Sequence, residues 1–341
     1  MLNLIIFSLI LINTILIYIV VKYRSIISKK INLIDNPSKG KIHKKPTPLL
    51  GGFLIYFTFN TFYLCQYLLG YFEINLLIFF ISTSLFIIGF FDDKKNLNYK
   101  IKFFIFIIIF ISSLLIEENL ILKDIYFETF QISFQLENFS SIMLTLLCLL
   151  LLINATNLSD GINGLCISIG IFWFVYISLM NLNILNNLIL VISIILLILI
   201  FLNIYKGKMF LGNSGSHYLG SFFGLYFIQD YNTVLYNKNI VEKISVEEIF
   251  LVLIIPGIDM LRLFIIRIIN KKNPFKADQN HFHHHLIKNF SLNKSLIIYF
   301  LLLILPIISY KMTNIASYLL IIIFIILYLI IFGWLNIRQK Q

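Results

Sequence analysis

Four stretches of this chain carry residue types that could do chemistry, and each sits at the edge of an apolar run. Asp92 and Asp93 close IIGFFDD as two adjacent carboxylates. Like charges so placed repel, and a divalent cation or a cationic ligand would relieve them. Asn154, Asn157, Asp160 and Asn163 follow the apolar stretch 141–153 in LLLINATNLSDGINGL. A three-residue step drifts about 60° around a helix, so Asn154, Asn157 and Asp160 share one stripe. Asn163 falls on the opposite side unless Gly161 lets the backbone tighten or turn. In KGKMFLGNSGSHYLG, residues Gly212 to Ser216 open a helix whose N-terminal N–H groups and dipole favour phosphate. Last, Asp259, Arg262 and Arg267 on a helix end precede Asp278, His281, His283, His284 and His285. Histidines near a diphosphate can donate hydrogen bonds and stabilise developing charge. A zinc site could use the same rings, but no Cys or Glu accompanies them.

Each stretch also has a plainer explanation. Asn, Asp and Gly cap helices that end in water, and Lys94 and Lys95 could neutralise the acid pair. The Gly/Ser segment could be an N-cap with small packing residues, and the histidines a solvated tract. A fifth stretch, DNPSKGKIHKKPTPLLGG, sets Lys41, His43, Lys44 and Lys45 before Pro46, Pro48, Gly51 and Gly52. Cations on a loop fixed by Pro and Gly suit an anionic lipid or nucleotide phosphate. A basic membrane flank explains the lysines equally well, but not His43 or the Pro–Gly framing.

These residues must be positioned by membrane helices. Of the 341 residues 59% are hydrophobic and 13% charged, a composition that excludes a soluble domain. The fold class read from the sequence is an all-α polytopic membrane protein, a single integral-membrane domain over 1–341. Apolar runs near 2–21, 49–69, 75–91, 101–116, 140–157, 165–181, 187–204, 214–229, 248–268, 295–311 and 314–335 predict about eleven spans. Met1–Val21 has no basic residue ahead of it and no small-residue cleavage site, so it is expected to be a retained span. The loop 22–48 is basic, as are 92–102, the region near 206–208, 262–294 and the tail, whereas 117–139 is acidic. The positive-inside rule then gives the N-terminus out and the C-terminus in. All the polar clusters fall on the cytoplasmic side of that arrangement. Its outer loop, around Ile125–Leu136, partly alternates apolar and polar residues and predicts a short periplasmic hairpin. The net charge of +11 is a topology signal, with no nucleic acid implied. Cys65, Cys148 and Cys166 lack paired or metal-ligand spacing.

Taken together, KGKIHKKPTPLLGG, FFDD, NATNLSDGINGL, FLGNSGS and PFKADQNHFHHHL resemble, in order, the motifs of the polyprenyl-phosphate N-acetylhexosamine-1-phosphate transferases. The HFHHH pattern and short length are closer to the N-acetylglucosamine branch than to the muramoyl-pentapeptide branch. The resemblance implies transfer of a sugar-1-phosphate from a UDP-N-acetylhexosamine to undecaprenyl phosphate in the bacterial inner (plasma) membrane, dependent on Mg²⁺ or on Mn²⁺ in its place. It implies an active site on the cytoplasmic face and allows a homodimer. By position, Asp92 acts on the lipid phosphate as base or orienting group, and Asp93 supports it or the metal. Asn157 and Asp160 line the nucleotide-diphosphate site, with Asn154 beside them and Asn163 near the uracil. Asn157, Asn213 and Asp93 are the metal ligands, and Asp92, Asp93, Asp160 and His283 the catalytic set. His281, His283, His284 and Arg267 meet the phosphates or the sugar, and Lys41 and His43 bind the lipid phosphate. Two departures stand out: Asn213 occupies a position where the family usually has a ligating Asp, and Asn163 one where many bacterial members have Asp. The loss of charge at Asn213 makes an inactive family member one alternative. A transporter or lipid-handling protein is another, although its polar residues would be expected near the midplane and on both faces.

Overall fold

The computed structural model describes residues 2–37, 45–68, 75–180, 184–236, 245–271 and 279–339. Among these the helices are α1 (Leu2–Lys22), α2 (Arg24–Ile31), α3 (Gly51–Leu68), α4 (Leu76–Lys95), α5 (Tyr99–Ile116), α6 (Asn138–Ser159) and α7 (Leu165–Met180). They continue with α8 (Ile184–Tyr205), α9 (Gly212–Tyr236), α10 (Val246–Ile269), α11 (Phe282–Asn289), α12 (Leu292–Met312) and α13 (Ser317–Arg338). Every apolar run read from the sequence is occupied by one of these helices. The two additional ones, α2 and α11, have eight residues each and are too polar for an apolar pattern to reveal.

Six helices, α4, α5, α6, α10, α12 and α13, are long and apolar enough to cross a membrane. A seventh span arises if α1 and α2, bent by 79° at their junction, are taken as one. Eleven apolar helices are therefore present among the described residues, and six or seven of them combine the length and the hydropathy that crossing needs. In α5 and α13, Phe104, Ile108, Leu115, Ile322, Ile326 and Leu329 are exposed, whereas Phe110, Leu114, Leu320 and Phe324 are buried. A helix exposing one apolar face and burying another suits a hydrocarbon solvent, because water would not tolerate so many exposed side chains.

The chain divides into two compact units, one of residues 1–98 and 163–219, the other of 99–162 and 220–341. In the first, α3 packs on α1, α4 and α8, and α7 packs on α8. A two-residue antiparallel pair, β1 (Ile34–Asp35) with β2 (Thr47–Pro48), ties the chain after α2 to the chain before α3. In the second unit α10 is central, touching α6, α12 and α13, and α11 packs on α12 and α13. The expected hairpin is present as β3 (Asp124–Phe127) and β4 (Ile132–Gln135), paired antiparallel with Asp124 opposite Gln135. Its turn is held by Glu247 in the first turn of α10, whose carboxylate accepts from the Glu128 and Thr129 N–H groups at 3.1 and 3.3 Å. Tyr231 binds the hairpin edge, accepting from the Tyr126 N–H at 2.7 Å.

Candidate active-site residues

In the first unit three of the five motifs converge. The segment after β2 runs beside the segment before α9: the Phe210 N–H donates to Pro48 O at 2.8 Å. The Gly51 and Gly52 N–H groups donate to Phe210 and Leu211 carbonyls at 2.9 Å. The backbones meet because neither side carries bulk there; a Cβ on Gly52 would lie 2.6 Å from the Gly215 nitrogen. The third motif arrives on α4, where Gly89 lets that helix reach the start of α9. A Cβ at Gly89 would lie 2.5 Å from the Asn213 carbonyl oxygen.

One turn beyond Gly89, the two carboxylates part ways. Asp93 accepts from the Asn213 N–H at 2.8 Å with one oxygen and from the Ser214 N–H at 3.0 Å with the other. It thus caps the N-terminus of α9, where free N–H groups and the helix dipole favour an anion. Gly212 takes φ +77° and comes so close that a Cβ would lie 2.7 Å from an Asp93 oxygen. The N–H groups expected to meet a phosphate here are therefore partly met by the protein's own carboxylate. Asp92 is buried and accepts from the Leu97 N–H at 2.8 Å, securing the turn that follows left-handed Asn96 at the end of α4. Asn213 is half-buried beside Asp93. Asn163, in the same unit, is half-buried, with its amide near Gly207 in the turn after α8.

In the second unit Asn154, Asn157 and Asp160 are half-exposed, whereas Leu152, Ile153, Ala155, Thr156 and Ser159 are buried. The shared stripe predicted from the spacing is thus present. Asn154 donates to the Leu150 carbonyl at 2.8 Å, and Asp160 is the residue at which α6 ends. Gly161 lies in the turn that follows α6, as expected, with a φ outside the left-handed region; that conformation falls to Gly164, at +89°. Gly161 also answers a second need: a Cβ there would lie 2.2 Å from His283 Nε2 and 2.7 Å from His284 Cε1. Glycine is required because two imidazoles occupy the space.

Those imidazoles belong to α11, which Phe282 anchors between Tyr299 and Tyr328. His283 is almost wholly buried, and burial holds its imidazole well below the usual histidine range because a charged ring would be poorly solvated. The His281 and His283 rings lie parallel with centroids 5.5 Å apart, and His284 stands edge-on to His283 at 4.2 Å. Behind His281 lies Asp259, buried within α10. One of its oxygens faces His281 Nδ1 at 3.0 Å. The other accepts from the Phe282 N–H at 3.0 Å, the Tyr328 hydroxyl at 2.8 Å and Arg262 Nη2 at 2.8 Å. Arg262 also donates to the Tyr328 oxygen and the Asn280 carbonyl, and lies over the Phe332 ring. The sequence placed Asp259 and Arg262 near the histidines without assigning either a task. Arg267 is buried in the last turn of α10. Lys41, His43, Lys44 and Asp278 lie outside the described residues.

No group of three or more His, Cys, Asp or Glu among the described residues is assembled as a metal cage. Mg²⁺ is usually held by one or two carboxylates together with substrate phosphates, whereas zinc takes three or four protein ligands at once. The hard oxygens of Asp92, Asp93 and Asn213 within one unit are donors of the right kind.

Comparison with known proteins bears on the same residues. The family described as Glycosyl transferase family 4 matches residues 75–230, which include Asp92, Asp93, Asn157, Asp160 and Asn213 and stop short of Asp259. The chain is 28% identical over 278 residues to a probable undecaprenyl-phosphate N-acetylglucosaminyl 1-phosphate transferase of Bacillus subtilis (strain 168), covering 76% of this chain and 71% of the relative. It is 27% identical over 279 residues to an undecaprenyl-phosphate alpha-N-acetylglucosaminyl 1-phosphate transferase of Thermotoga maritima, covering 80% and 79%. A phospho-N-acetylmuramoyl-pentapeptide-transferase of Buchnera aphidicola is 32% identical over 228 residues, covering 56% and 62%. The family resemblance read from the motifs is borne out.

Proposed function

We propose that this chain transfers N-acetylhexosamine-1-phosphate from a UDP-sugar to undecaprenyl phosphate, releasing UMP and starting a cell-envelope glycan. The observation that carries this reading is the coincidence of the family match with the Asp92–Asp93–Asn213 grouping. Two polyanions must approach each other for such a transfer, so the catalytic burden is positioning and charge neutralisation. In this reading Asp92 orients or deprotonates the lipid phosphate, while Asp93 holds the start of α9 and with it Asn213. Asn154, Asn157, Asp160 and Asn163 serve the nucleotide, and His281, His283, His284 and Arg267 the diphosphate and sugar. Lys41 and His43 serve the lipid phosphate. Mg²⁺, or Mn²⁺ in its place, would be held by Asp93, Asn157 and Asn213 with substrate oxygens and would supply charge neutralisation at the phosphates. The topology that goes with this is eleven spans in the bacterial inner membrane, N-terminus out, C-terminus in and chemistry on the cytoplasmic face, with a homodimer compatible.

The test is purified protein with Mg²⁺, undecaprenyl phosphate and a panel of radiolabelled UDP-sugars. Release of UMP with label entering lipid is the expected result. Movement of sugar or lipid without bond cleavage would instead establish a transporter, and no turnover with any donor an inactive relative. Asp92→Asn keeps an oxygen for the Leu97 N–H, so the variant should fold normally and lose turnover by about 100-fold or more. Full activity in that variant would remove Asp92 from the mechanism.

A further inference from the structure

The Asp259 carboxylate is surrounded by donors. Arg262 and Tyr328 hold one oxygen, as does the Phe282 N–H, and none of these can accept a proton from it in that geometry. Asp259 is thereby kept as an acceptor, and the bond to His281 must run from Nδ1–H to the carboxylate. Nε2 of His281 is then left as the ring's only other polar atom. It is buried, in a residue 3% exposed, and has no hydrogen-bond partner among the described residues. A buried imidazole nitrogen without a partner costs free energy in a resting protein and gains it back when a ligand arrives. The arrangement is that of a carboxylate fixing a histidine tautomer from behind, with the opposite nitrogen offered forward.

We propose that Asp259 is the positioning residue of His281: it fixes the ring with its proton on Nδ1 and commits Nε2 to the phosphate-bearing substrate. This rests on the transferase reading above. With the ring neutral, Nε2 offers a lone pair. A hydroxyl or amide N–H of the phosphate-bearing substrate can meet that lone pair. Arg262 and Tyr328 aim the carboxylate, which explains why an ion pair is built into an apolar helix where burial is costly.

Two measurements test this on the full chain in lipid nanodiscs. In the first, ¹⁵N-histidine labelling resolves the six histidines, and His281→Ala assigns the resonance of interest. The neutral ring should carry its proton on Nδ1; a proton on Nε2 overturns the proposal, whether or not the protein turns over substrate. In the second, UMP release is followed in a double-mutant cycle. Asp259→Asn and His281→Ala should each lower kcat by about 10–100-fold, with the double variant no worse than a few-fold below His281→Ala alone. Losses that multiply in full would show that Asp259 acts independently of His281. Should Asp259→Asn not accumulate as folded protein, Tyr328→Phe replaces it. Its loss of kcat should vanish in the His281→Ala background, and an equal loss in both backgrounds, or none in either, overturns the proposal. An inactive parent would sink the transferase reading, and the tautomer measurement would still decide this one.

Discussion

Replacing Gly161 by alanine adds one methyl group where the structure has none to spare. The new Cβ would stand 2.2 Å from His283 Nε2 and 2.7 Å from His284 Cε1, whereas ordinary contact begins at 3.4 Å. His283 must therefore move by about 1.2 Å to restore contact distance, and His284 by somewhat less. Their freedom to do so is small, because His283 is buried and Phe282 pins α11 between two tyrosines. Overpacking of this kind costs about 1–3 kcal/mol. Since the φ of Gly161 is one alanine can adopt, the stiffer unfolded chain returns about 0.4–1 kcal/mol. The melting temperature should thus fall only modestly. Activity should fall much further: a displacement of about 1 Å in a group that touches substrate can cost roughly 100-fold, equivalent to about 2.7 kcal/mol of transition-state binding. UMP release from a UDP-N-acetylhexosamine, measured beside a thermal melt in the same detergent, separates the two effects. Gly257→Ala on α10 is the control, since nothing lies within 4 Å of its would-be Cβ, and it should be neutral or slightly stabilising. Retention of activity within twofold in Gly161→Ala, with an unchanged melt, would show that the tight fit of His283 against this glycine has no bearing on the chemistry.

Asp93→Ala strips both acceptors from the start of α9 and should lower stability by about 1–2 kcal/mol as well as abolishing turnover, whereas Asp93→Asn should retain most of the stability. A melt for Asp93→Ala equal to that of the parent would contradict the capping role. Asn213→Asp places a second carboxylate beside Asp93 and should leave the rate unchanged or lower the Mg²⁺ concentration needed for half-maximal rate; loss of activity would give Asn213 another task. His283 refuses a proton in the folded state that it accepts near pH 6.5 when unfolded, so its contribution is intact above that pH and is lost as pH falls below it. Between pH 7.5 and 5.5 the parent should therefore lose more melting temperature than His283→Gln, and equal losses would place the acid sensitivity elsewhere.

What could be read from the sequence was whatever a membrane solvent enforces locally. Each span must be a continuous apolar helix, so the eleven runs mapped onto helices, and the 3.6-residue period was enough to align Asn154, Asn157 and Asp160. Contacts made by single atoms between distant segments leave no such period. Nothing in the spacing ties Asp259 to His281, 22 residues on, or to Tyr328, 69 residues on. The one available hint was energetic: a carboxylate within a 24-residue apolar helix needs a partner, and Arg262 stands three positions later. The adjacent carboxylates teach the same lesson in the opposite direction. Neighbours in sequence suggested mutual repulsion and a shared cation, yet successive residues on a helix point about 100° apart. Asp92 turns to the chain that follows its own helix, and Asp93 to the first N–H groups of another. The charge of Asp93 is thus already answered by a helix dipole. On the proposed reading, a cation drawn to this place would be held by the oxygen lone pairs that those hydrogen bonds leave over, together with phosphate oxygens of the substrates.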